Sequence, residues 1–100
     1  MFVAQTAMAA AHYFAGRYGE ALSWSEEALR ENPTYMSAWR FLAASCAMIG
    51  RHEQAQSAMA RLRKLDPALR ISNLKHLITF RRPEDLANWV EGLRKAGLPE

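Results

Sequence analysis

The sequence predicts an all-α fold, an α-α superhelix of about six helices in three antiparallel hairpins, and three observations lead to it. Laid over itself at an offset of 34 positions, the chain puts Pro67 on Pro33, Ala55 on Ala21, Gly50 on Gly16 and Arg51 on Arg17. Between these landmarks apolar residues recur at three- and four-residue intervals, the period of one face of a helix. Asn32-Pro33 and Asp66-Pro67 punctuate the chain at the same offset, each combining a capping residue with a proline suited to the first helical position. The implied units are residues 2–35, 36–69 and a capping hairpin at 70–100, all within one domain.

The first helix is expected over residues 2–14, which contain no Gly or Pro and are rich in Ala and Met, and Gly16 ends it. Only Gln5, Thr6 and His12 interrupt its apolar surface, whereas a surface helix needs a broad polar face. Terminal units of a stacked repeat need a polar outer side, so this helix is expected either to follow further chain or to form a homodimer contact with a second copy. Residues 18–30 form the second helix, with Ala21, Leu22, Ser25, Ala28 and Leu29 inward and Glu26 paired to Arg30 outside.

A third helix over 35–49 stops at Gly50. The fourth, over 52–65, turns Ala55, Ala58, Met59 and Leu62 inward. Beyond Pro67 the repeat fades, because Glu84 and Trp89 stand where Gly50 and Ala55 would recur. Helical spacing continues nonetheless: Leu74, Leu77 and Ile78 share a face in a fifth helix over about 69–80. Pro83 opens a sixth, with Glu84 and Asp85 in its first turn, where the helix dipole favours acids. Leu86, Trp89, Val90 and Leu93 lie along one side, and Gly97 with Pro99 closes the helix.

Small residues at helix crossings let paired helices approach closely, and larger ones fill the layer between units. The expected packing set is Ala21, Ala28, Trp39, Leu42, Ala55, Leu62 and Trp89, with Ala9, Ala43, Met8 and Leu29 beside it.

Composition limits the functions available. The chain has 100 residues, half of them hydrophobic and 23% charged, as expected for one folded domain. Three basic against four acidic residues precede position 51, and ten against six follow, so the net +3 belongs to the second half. The single Cys46 can form no internal disulfide, and the uncharged run at 1–16 is shorter than a membrane span. A soluble, cytoplasmic protein is expected.

No phosphate-cradling glycine loop, zincin motif or nucleophile elbow is present. His12 and Cys46 occupy one repeat position and His52 matches Tyr18, which favours packing over metal binding. His76 has no evident partner. No catalytic residue, metal, cofactor or small-molecule substrate is assigned.

The 34-residue period resembles the tetratricopeptide repeat. Its pattern of Trp, Leu, a small residue and an aromatic, then Ala and an apolar residue, then Pro, reads here as Trp39-x2-Leu42-Ala43-x2-Cys46, Ala55-x3-Met59 and Pro67. The resemblance implies that the first helix of each unit lines a groove holding a peptide or partner helix. Position by position, that lining is Val3, Thr6, Ala10, Tyr13 and Phe14 from the first unit and Ser37, Arg40, Phe41, Ala44 and Met48 from the second. Ile71, Leu74 and Lys75 continue it. The Lys/Asn set with which some relatives clamp a terminal carboxylate is absent, so the implied partner is a protein or peptide presenting an apolar or amphipathic helix. Tyr13, Phe14 and Phe41 also suit packing against a neighbouring unit, and both readings stand.

The rival surface is the basic run Arg61, Arg63, Lys64 and Arg70, with Arg81 and Arg82 further on, which could attract nucleic acid or an anionic surface. Acidic residues intersperse it and no aromatic is interleaved within 61–70, so a solvated helix face is the preferred account. Finally, residues 80–86 (Phe80-Arg81-Arg82-Pro83-Glu84-Asp85-Leu86) and 91–100 resemble the end of bacterial multidomain signalling proteins in which a class III adenylate or guanylate cyclase domain precedes a repeat region. Similar tails follow transcription-activator domains. The resemblance implies a regulatory or assembly module whose catalytic domain lies outside these residues.

Overall fold

Helix ends recur at the repeat offset and set the architecture. The computed structural model describes residues 2–72 and 83–100, and among them it contains five helices and no strand. These are α1 (Phe2–Phe14), α2 (Tyr18–Glu31), α3 (Met36–Met48), α4 (His52–Leu65) and α5 (Pro83–Lys95). Gly16 and Gly50 adopt φ of +82° and +84°, a left-handed backbone that glycine enters without a Cβ penalty. Each then lets the following arginine amide reach back, Arg17 to the His12 carbonyl (2.8 Å) and Arg51 to the Cys46 carbonyl (2.9 Å). The chain therefore reverses twice in the same way.

The even-numbered ends are also copies of one another. Asn32 and Asp66 take nearly the same backbone, φ −142° and −139°, and their amides bond to the Ala28 and Leu62 carbonyls. Tyr35 and Leu69 then donate to the carbonyls of Asn32 and Asp66, closing the turn that leads into each next unit. In the first of these turns, the Trp39 indole Nε1 donates to the Pro33 carbonyl at 2.7 Å and ties α3 to the turn before it.

α1 packs on α2 and α3 on α4, while α2 also packs on α3 and α1 lies beside α3. Ala9, Ala21, Ala28, Ala43 and Ala55 are fully buried where these helices meet, with Leu62 and Cys46 also sealed. Leu42 is buried, and Trp39 and Leu29 are partly so. Ser25 lies in the core and donates its hydroxyl to the Ala21 carbonyl one turn back, which satisfies it locally.

Two expectations shift. Met8, expected to fill a layer between units, is 42% exposed, because no described helix covers that side of α1. Arg30 pairs with Glu27, one position nearer than Glu26. Of the expected fifth helix, Leu69 and Arg70 are non-helical, Ile71 and Ser72 take a 3-10 conformation, and the Ile71 and Ser72 amides donate to the carbonyls of Pro99 and Glu100. The rest of that expected fifth helix, and with it the six-helix, three-hairpin count, falls on residues outside the described set. α5 packs across α3 and touches α1, and no Cα of α5 comes within 8 Å of α4.

Because Ala55 is sealed at the α3–α4 crossing, Ala55→Leu should overpack it and destabilise the fold by about 1–3 kcal/mol, measured by chemical denaturation.

Candidate functional site

The side chains with the most specific geometry lie where α5 crosses the face shared by α1 and α3. That face is aromatic because α1 ends in Tyr13-Phe14, the chain turns at Gly16 to bring back Tyr18, and α3 places Phe41 beside them. Tyr13 meets Phe14, Tyr18 and Phe41 edge to face, at centroid distances of 5.4, 5.1 and 5.8 Å. Phe14 also meets Phe41 edge-on at 5.9 Å. Such pairs add about 0.5–1.5 kcal/mol each beyond the area they bury.

α5 presents Trp89 to this cluster. Its ring stacks on Phe41 at 5.5 Å with an interplanar angle of 25°, and the residue is fully buried. Two hydroxyls hold the residue before it: Tyr13 donates to the Asn88 backbone carbonyl at 2.7 Å, and Tyr18 donates to the Asn88 side-chain oxygen at 3.1 Å. Tyr13 reaches a mid-helix carbonyl because Gly92, one turn on, has no side chain. A Cβ there would overlap the Tyr13 hydroxyl and press on Ala44 Cβ at 3.0 Å. Burial raises the Tyr13 phenol above its ordinary value, reinforced by Tyr18 and Glu91, so the hydroxyl remains a donor.

Of the lining residues expected from the sequence, Tyr13, Phe41 and Ala44 come together under α5. Phe14, Ala10 and Met48 pack partly buried at the edge of the core. Thr6 is buried and donates to the Phe2 carbonyl, while Val3 is 46% exposed. Arg40 is only 8% exposed and spans to Asp66 at 3.5 Å and Ser37 Oγ at 3.3 Å, so it braces the turn after α4. Burial lowers its pKa and Asp66 opposes the shift. Leu74, Lys75 and His76 lie outside the described residues, as do Arg81 and Arg82.

Tyr18, Asn88 and Gly92 were not singled out by the sequence. Gly92 carried a usable signal, since glycine inside a helix costs about 1 kcal/mol against alanine and implies a close approach.

The remaining reactive groups are dispersed. No group of three or more His, Cys, Asp or Glu among the described residues is placed to hold a metal ion. His12 Nδ1 accepts from Arg17 Nε at 2.9 Å and lies 3.3 Å from Glu20. Burial pushes the Cys46 thiol up to about 11, with Glu26 adding to the shift and Arg51 opposing it. Arg61, Arg63 and Lys64 are exposed on α4, whereas Arg70 donates to the carbonyls of Pro67 and Leu69. No helix among the described residues is long and apolar enough to cross a membrane.

A family model described as tetratricopeptide repeat matches residues 14–78, well over half of the chain. The chain belongs to the tetratricopeptide repeat family, whose repeats generally mediate protein–protein interaction and are typically non-catalytic. Comparison with curated proteins and with solved structures found no match.

The folded chain keeps Cys46 protonated, while an unfolded one ionises it near the ordinary thiol value of 9.0. Stability from this group is therefore complete below pH 9 and declines as pH rises toward 11, by at most about 3 kcal/mol. Denaturation of the native chain and Cys46→Ala between pH 7 and 11 should show the extra decline only in the native chain.

Proposed function

We propose that this chain is a non-catalytic protein-interaction module whose inner face, on α1 and α3, accepts one amphipathic helix. The supporting observation is α5, an amphipathic helix lying across that face with its Trp stacked on Phe41 and its backbone gripped by Tyr13. The face thus has the width, apolar character and hydroxyl donors that a helix requires. Its finer placement is as the regulatory or assembly region of a bacterial multidomain signalling protein with a class III cyclase domain. Support for that placement is the resemblance of residues 80–86 and 91–100, and any catalysis would belong to the attached domain.

A homodimer through α1 is part of the same proposal. Ala4, Ala7, Met8 and Ala11 are exposed on α1, whereas their equivalents on α3, namely Ala38, Phe41, Leu42 and Ser45, are all buried. That difference supports a neighbour on the α1 surface, which carries no charge that would repel a second copy.

Two measurements test the proposal. Titrating isotope-labelled chain with a panel of amphipathic helical peptides should shift the amides of Tyr13, Phe41 and Ala44, and a panel that leaves them unmoved would overturn helix recognition. Sedimentation should show a dimer that Met8→Glu converts to monomer, and a native chain that stays monomeric at high concentration removes the α1 contact.

A further inference from the structure

We infer that α5 is a resident ligand of the α1–α3 face and that the external partner is a helix carrying its signature, an Asn-Trp pair followed at the third and fourth positions after Trp by Gly and Leu. The inference rests on the module function proposed above and specifies what its site reads. Four observations carry it.

First, among the described helices α5 crosses the face of the stack: it lies over α3 and α1 and has no Cα within 8 Å of α4. Secondly, the contact is selective. Trp89, Gly92 and Leu93 are the residues of α5 that become fully or almost fully buried, and they fall at i, i+3 and i+4, one stripe of a helix. Thirdly, the site addresses polar atoms that a purely apolar packing face would ignore. One tyrosine hydroxyl takes the Asn88 backbone carbonyl and another takes its side chain. The first of these bonds requires glycine at 92, because any side chain there would occupy the place of the Tyr13 hydroxyl.

Fourthly, α5 carries its own helix signals, as a separable ligand must. Glu84 and Asp85 stand in its first turn, Arg94 and Lys95 in its last, and Lys95 pairs with Glu91 at 3.6 Å. Gly97 at φ +106° closes it, with the Leu98 amide returning to the Leu93 carbonyl at 3.0 Å. Its outer side is polar, so release from the face leaves an amphipathic helix and exposes the aromatic cluster to a competitor of the same pattern. An occupied site lowers apparent affinity for that competitor by the fraction of molecules in which it stands open.

The experiment uses the full chain and a dye-labelled peptide of residues 83–100. A chain carrying Trp89→Ala should bind the native-sequence peptide at least about tenfold more tightly than the native chain does, because its resident helix no longer competes. A peptide carrying Gly92→Ala is a better helix former in isolation, yet should bind at least about tenfold more weakly, since its methyl group meets the Tyr13 hydroxyl. Equal binding by the two peptides, or equal binding by the two chains, overturns the inference.

Should Trp89→Ala fail to fold, hydrogen exchange on the native chain decides. The α5 amides should exchange through an opening that leaves α3 protected, and exchange only through global unfolding overturns the inference. If helices bind regardless of the Trp and Gly register, this inference falls and the module function survives. If no helix binds even where α5 is shown to open, the module function falls with it.

Discussion

Everything in this molecule depends on alanine at the helix crossings. Ala9 and Ala43 on the odd helices, and Ala21 and Ala55 on the even ones, have no exposed surface. A methyl group at each crossing lets two backbones approach closely enough for neighbouring side chains to interlock. Bulkier residues would push the hairpins apart and separate α1 from α3. Without that adjacency Tyr13 and Phe41 could not meet, and no surface would exist for α5 to cross.

Much of this was legible in the sequence because it depends on local chemistry. Gly16 and Gly50 stop helices through a backbone conformation that glycine favours, and Asn32-Pro33 and Asp66-Pro67 impose matching turns. Such signals act over a few residues and survive reading in one dimension. The all-helical repeat and most helix boundaries followed from them. The inward alanines followed from periodicity, which carries the same information as burial.

The site was only partly legible, and the reason is physical. Tyr13, Phe41 and Ala44 stood out because the repeat resemblance places them on the lining of the first helix of each unit. What covers them is set by a long-range choice, the path of the chain after Ser72, and no local rule encodes it. Trp89 read as a packing residue, and it is fully buried, but that its partner would be Phe41 on α3 had no local signal. Arg40 read as a cation lining that face, and its geometry instead spends the charge on Asp66. A guanidinium has reach enough for several destinations, so its spacing in sequence decides little. Gly92 is the instructive case, since its cost to an isolated helix was visible while the tyrosine it makes room for lies far away in the chain.

A stack of helical hairpins is ordinarily a crescent, longer in one direction than the others. Here α5 lies across α3 and against α1, and the principal extents are 29, 28 and 25 Å with a radius of gyration of 11.9 Å. Such a body tumbles almost like a ball, so its rotation in solution carries little directional information while α5 is seated. Were α5 to leave that face, anisotropic tumbling would be the physical signature, readable without any binding partner.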